Sequence, residues 1–210
     1  MEVTTMPRVS TTAIIIGFSL GLLLGAPSAP AFAGPPAEQL ASQIDRVLAV
    51  LDDPAFKGDE HVGPRRQAVR RVTDELIDWD EMGRRTLGAR WQTLDDGERH
   101  AFVALFSELL NRAYLRNLDR YEGEKIVVTG DSVDGDRAVV RAKVVKNEGE
   151  GMALDFAMVR DGERWRVWDI RMMGTSMVGG YKAQFARLLQ TESYDSVLRR
   201  LRERVDSLQP

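Results

Sequence analysis

Between Arg137 and Met173 the chain alternates apolar and polar residues with period two, and glycine turns interrupt it at short intervals. A chain with this pattern can only be laid down as antiparallel strands joined by tight turns. Asp134-Gly135 and Asp161-Gly162 are hairpin signals, and 147–151 (NEGEG) is a third turn. Four strands are expected, at 126–129, 137–145, 152–159 and 165–173. In the third, Met152, Leu154, Phe156 and Met158 share one face, opposite Ala153, Asp155 and Ala157. In the second, Ala138, Val140, Ala142 and Val144 alternate with Arg141 and Lys143. In the fourth, Trp168, Ile170 and Met172 alternate with Asp169 and Arg171. The product is a meander with one apolar and one more polar face.

An apolar sheet face needs a cover, and amphipathic helices stand on both sides of the meander in the sequence. Leu40, Ile44, Val47, Leu48 and Leu51 share one face of a helix over 36–51, ended by Asp52-Asp53-Pro54. Val69, Val72 and Leu76 do so over 65–77. Asp78 to Glu81 reads as a capping box opening a short helix with Met82 and Leu87, stopped at Gly88. After a second cap at 93–96 comes the widest stripe: Phe102, Leu105, Phe106, Leu109, Leu110, Ala113, Tyr114 and Leu118. That stripe is expected to lie against the sheet. Beyond Gly174, Tyr181, Phe185, Leu188 and Leu189 form another stripe. Tyr194, Val197, Leu198, Leu201 and Val205 form the last, from about Ser193. The expected architecture is α+β, with helices packed on one side of an antiparallel sheet.

The first 33 residues have the layout of a secretory signal peptide. Arg8 precedes an uncharged apolar run at 13–25, Pro27 and Pro30 follow, and Ala31-Phe32-Ala33 is an A-x-A cleavage site. The run is shorter than the ~20 residues of a membrane span. No cysteine follows it that could carry a lipid anchor. Residues 34–210 are therefore expected to be a single exported domain. Its removal takes away only Glu2 and Arg8, so the net charge of −3 stands. That balance argues against a nucleic-acid partner. With no cysteine there are no disulfides, and stability must come from the core.

The inventory for catalysis is thin. His61 lies in a Gly/Pro loop and His100 on the polar side of a helix; neither has a histidine at i+4, so no zinc motif is formed. No G-x-S-x-G elbow is present outside the apolar run at 13–25. Gly174-Thr175-Ser176 and Gly179-Gly180 match no phosphate-binding loop and read as a strand-to-helix turn. Asp155 and Asp169 on neighbouring strands could form a carboxylate pair, but pairing with Arg141 and Arg171 is the simpler account. Arg84-Arg85 and Arg199-Arg200 could grip a lipid phosphate or an acidic partner; each alone also reads as a solvated helix face. No enzyme, catalytic residue, metal or cofactor is expected. Inward positions are rich in methionine and phenylalanine, the adaptable and bulky residues of surfaces that accept varied shapes. The same periodicity is produced by a filled interior and by one that opens around a ligand.

Three segments, 78–91 (DWDEMGRRTLGARW), 94–118 (LDDGERHAFVALFSELLNRAYLRNL) and 165–189 (WRVWDIRMMGTSMVGGYKAQFARLL), resemble the toluene-tolerance/MlaC family of periplasmic phospholipid-binding proteins. Tyr181, Lys182, Gln184 and Phe185 match that family's Tyr-basic-x-Gln-Phe end. Gly179-Gly180 departs from it, standing where a more polar pair is usual, as does Met173 before Gly174. The likeness runs from about residue 36 to 205. It implies an NTF2-like fold, helices on a curved antiparallel four-stranded sheet, enclosing acyl chains and leaving the headgroup near solvent. It also implies a monomeric periplasmic shuttle. The partners would be an inner-membrane lipid ABC transporter complex with an MCE protein and an outer-membrane lipoprotein–porin complex. A 16-carbon chain left in water forfeits about 12 kcal/mol, so a carrier must hide it. The expected lining is Phe102, Phe106, Leu109, Val140, Leu154, Phe156, Met158, Trp168, Ile170, Met172, Tyr181 and Phe185. Three alternatives are a hopanoid-type cargo, a non-catalytic envelope adaptor with a solid core, and a hydrolase on the same scaffold, which would need a polar dyad inside the pocket.

Overall fold

The structure, a computed structural model, describes residues 34–115, 121–145 and 151–208. The expected signal segment, Leu118 and most of the 147–151 turn lie outside the described residues. Among the described residues six α-helices and five strands follow in the order α1 (Pro35–Asp52), α2 (Val62–Leu76), α3 (Trp79–Leu87), α4 (Asp96–Leu115), β1 (Lys125–Asp134), β2 (Arg137–Val145), β3 (Met152–Asp161), β4 (Arg164–Met172), β5 (Thr175–Ser176), α5 (Met177–Thr191) and α6 (Tyr194–Ser207).

Local chemistry explains the boundaries. Pro35 and Pro36 occupy the first turn of α1, where a missing N–H costs nothing. Asp78 accepts the Glu81 N–H at 2.9 Å to start α3, and Gly88, at φ +57°, stops it. Asp95 and Glu98 exchange bonds with each other's main-chain N–H at 2.8 and 2.9 Å, a complete capping box at the start of α4.

The sheet is antiparallel throughout, in the order β1-β2-β3-β4-β5. Gly135 and Gly162 supply the positive φ, +57° and +59°, that two-residue hairpin turns require. The first strand runs longer than expected, because a bulge at Gly130 (φ +147°) lets it bend and continue to Asp134. The added strand, β5, is a two-residue rung on the end of β4. The outer edge of β4 is otherwise closed by loop and side chain: Asp78 N–H donates to the Val167 carbonyl at 2.8 Å, and Arg166 donates to the Ile77 carbonyl at 2.7 Å. This blunts an edge that could recruit another strand.

Two expectations are corrected. A second bulge sits in β4, where Ala157 faces Asp169 while Met158 faces Val167. Trp168 is the extra residue. The strand changes phase there, so Trp165, Val167 and Ile170 join the apolar sheet core and Trp168 does not. The wide stripe of α4 does not lie on the sheet either; its principal partners are α6, α3 and α2. Among the described residues the apolar interior is two clusters. One is helical, built from α3 to α6. The other joins the sheet to α1 and Leu76. They abut at the end of α2, where Leu76 belongs to the sheet core and Ile77 packs on the helical one.

Candidate functional site

The helical core is organised around rings. Phe102 stacks on Phe106 with centroids 5.4 Å apart, and Phe185 meets both edge-on at 5.3 and 6.1 Å. Tyr181 stands edge-on to Phe106 at 5.2 Å. Burial, and then the neighbouring Tyr114 hydroxyl, hold the Tyr181 phenol above its ordinary pKa, so it is neutral and a hydrogen-bond partner to Tyr114. Beside these rings α4, α5 and α6 leave a cleft of about 280 Å³. Leu109, Phe185, Val197 and Leu201 form its apolar floor, while the exposed Arg200 and Arg204 stand at its rim. At this rim Arg200 is paired with Glu192 at 2.9 Å.

α6 is pinned across this cleft at both ends. Tyr194 donates to the Glu98 carbonyl at 2.8 Å, and burial, reinforced by Glu98, pushes its phenol up to about 12. At the other end Arg112 donates to the Val205 and Leu208 carbonyls at 3.0 and 3.2 Å, favourable at a helix C-terminus.

The sheet core is the second apolar cluster and contributes no residue to the lining of this cleft. Val140 and Met158 are fully buried, Leu154 and Phe156 nearly so, and Ile170 packs partly buried against them. At the open end of the same face the cover fails: Met152, two residues before Leu154 on β3, and Met172, opposite Leu154 on β4, are 39 and 36% exposed.

The twelve residues expected to line a ligand therefore separate. Phe102, Phe106, Leu109, Tyr181 and Phe185 belong to the helical core, and Leu109, Tyr181 and Phe185 also border the cleft. Val140, Leu154, Phe156, Met158 and Ile170 belong to the sheet core. Met172 stands at the sheet's open end, and Trp168 lies outside both cores under the Arg85 guanidinium. The α6 wall was not among those twelve, although the stripe of Val197 and Leu201 marks it as buried.

Little suits catalysis. His61 and His100 each bond a main-chain carbonyl four residues earlier, at 2.8 and 2.7 Å. Asp169 is buried, but its carboxylate is engaged by the Val178 N–H and the Ser176 hydroxyl. Among the described residues no group of three or more His, Cys, Asp or Glu could hold a metal ion. Nor, among them, is any helix long and apolar enough to cross a membrane.

Known proteins are similar to this chain in sequence and in fold. The intermembrane phospholipid transport system binding protein MlaC of Haemophilus influenzae is 22% identical over 143 residues, 66% of this chain and 67% of that one. A phospholipid-binding protein of Ralstonia solanacearum, solved in complex with a phospholipid, superposes with a TM-score of 0.71 at 24% identity, covering 82% of this chain and 98% of that one. The likeness establishes the shared fold. The family profile described as MlaC protein matches residues 41–203, and the chain belongs to that family.

Proposed function

We propose that this protein binds a phospholipid by its acyl chains and carries it between the membranes of a two-membrane envelope, without catalysing a reaction. The observation that carries this reading is the division of the apolar interior into two packed clusters, one among α3 to α6 and one between the sheet and α1, that meet at the end of α2. A domain of this size ordinarily has one contiguous core. Acyl chains can enter along the join and push the two abutting cores apart while each keeps its own packing, whereas wedging into a single filled core costs strain. The helical cleft is smaller than the ~300–1,000 Å³ typical of small-molecule pockets, so binding requires α6 or the join to open. Met152 and Met172 offer flexible apolar side chains where the sheet is uncovered.

The Haemophilus relative's name and the phospholipid held by the Ralstonia neighbour support the cargo. Membership of the family supports the wider proposal: a monomeric periplasmic shuttle between an inner-membrane lipid ABC transporter complex with an MCE protein and an outer-membrane lipoprotein–porin complex.

Native mass spectrometry of the mature protein, purified without detergent and then extracted with organic solvent, tests the cargo. The expected result is a mass increment that disappears on extraction and matches a phospholipid. A polycyclic mass would assign a hopanoid-type cargo instead. A bare protein that also takes up no added phospholipid overturns the carrier reading and leaves the adaptor.

A further inference from the structure

On the other side of α5 from the cleft, a groove of about 530 Å³ runs between α3, β4 and α5. Four cations from these three elements border it: Arg84, Arg85, Arg171 and Lys182. Two carboxylates answer them, Glu81 bonded to both Arg84 and Arg85 at 2.6 Å and Asp169 at 3.7 Å from Arg171. The groove is thus locally positive on a chain of net charge −3.

Trp168 marks the groove as a built surface. The β4 bulge turns this side chain out of the sheet core and into the groove, where Arg85 stacks 3.8 Å above its ring. Bulges re-aim single side chains in this way. Tryptophan and arginine are among the residue types enriched at the centres of protein–protein contacts. The anion that a helix N-terminus attracts is already present: Asp169 accepts the Val178 N–H at 3.0 Å, and Ser176 Oγ accepts the Gly179 N–H at 2.8 Å. A phosphate seated there would meet the Asp169 carboxylate. Arg84 and Lys182 are exposed on the groove's walls, and Arg85 and Arg171 are partly buried there.

We infer that this groove docks an acidic segment of a protein partner, with Trp168 as its apolar anchor and Arg84, Arg171 and Lys182 as its charged contacts. Charge and shape alone carry this docking, whatever lipid the interior takes.

The test is fluorescence anisotropy of a labelled Glu/Asp-rich decapeptide carrying one central leucine, titrated with the mature chain at low and at physiological salt. Binding is expected to weaken with salt. It is expected to fall at least tenfold in Lys182→Glu and in Trp168→Ala, with Arg202→Glu on exposed α6 unchanged. Thermal melting and native mass spectrometry of each variant separate a docking defect from misfolding or loss of lipid. Equal weakening by Arg202→Glu would reduce the attraction to net charge and overturn the inference. Displacement of the peptide by millimolar inorganic phosphate at constant ionic strength would make the groove a small-anion site. Failure of the peptide to bind, with phosphatidylglycerol vesicles binding and losing affinity in the same variants, would assign it to a membrane surface.

Discussion

Gln39 on α1 exchanges two hydrogen bonds with the main chain of Trp165 on β4: its Nε2 donates to the carbonyl at 2.6 Å, and its Oε1 accepts the N–H at 2.9 Å. One side-chain amide thus supplies a ladder rung on a strand edge and ties the N-terminal helix to the last long strand, 126 residues away. Gln39→Ala leaves both Trp165 groups without that partner and is expected to cost about 1–3 kcal/mol. Gln39→Glu keeps the acceptor but loses the donor, and sets a carboxylate against a carbonyl, so it should cost at least as much. Urea denaturation checks the size. Hydrogen exchange should show the Trp165 amide deprotected in the alanine variant; unchanged protection would mean that α1 is held by Leu40 and Ile44 alone.

Asp169 is the hinge between sheet and helices. Buried on β4, it accepts from the Val178 N–H and from Ser176 Oγ, which itself accepts from Gly179 N–H. A strand residue therefore caps a helix that begins eight positions later. Asp169→Ala is expected to lose about 2–3 kcal/mol, since it removes a charge-assisted cap and strands a buried N–H. Asp169→Asn keeps one acceptor oxygen and should fall between. Urea midpoints of the three proteins decide this; an alanine variant as stable as the parent would show α5 to be held by packing alone.

Glu108 joins three helices. It lies 2.6 Å from Arg70 on α2 and 2.6 Å from Arg112 on α4, and Arg112 reaches the end of α6. Burial acts to raise its pKa, but the bonds and charges of Arg112 and Arg70 outweigh this, and the folded protein holds the carboxyl below its ordinary value. A depressed folded pKa contributes stability above the unfolded value, near 4.5, and that contribution is lost as pH falls through the folded value. Glu108→Gln should therefore be less stable than the parent by a constant margin from about pH 7 to 5, a margin that shrinks below about pH 4. Urea midpoints across that range check it, and a margin that persists at about pH 3 would assign the effect to packing.

The hairpin turns and helix caps were legible because their chemistry is local: Gly135 and Gly162 provide a backbone angle, and Asp78 and Asp95 bond residues three positions on. The path of β4 was not. Its sequence, RWRVWDIRM, is apolar in both phases: Trp165 and Val167 in one, Trp168, Ile170 and Met172 in the other. Only packing against Met158 and α1 selects where the phase changes. The α4 stripe likewise states how much surface must be buried and is silent on the partner; Phe102 and Phe106 found Phe185 rather than Phe156. The Arg200 and Arg204 rim became visible only when α6 was placed across from Leu109. Arginine on a helix has the same pattern whether it faces bulk water or the mouth of a cleft.

The uncovered end of the sheet gives the most direct test of how a lipid reaches the interior. Met152 and Met172 are each more than one-third exposed, yet they share the apolar face with buried Leu154. Replacing either by glutamate puts a charge where it stays solvated, so the cost in stability should be below about 1 kcal/mol. A charge at that point opposes the passage of acyl chains, because a chain sliding past it strips water from the carboxylate. Met152→Glu and Met172→Glu are therefore expected to keep the parent's melting temperature within a few degrees and to lose most bound phospholipid in native mass spectrometry. Met173→Glu, 78% exposed and just beyond the strand, serves as the control and should retain it. Full lipid occupancy in both rim variants would place the route elsewhere, at the cleft under Arg200 and Arg204. There Ala113→Phe, narrowing the space between α4 and α6, becomes the variant expected to exclude lipid.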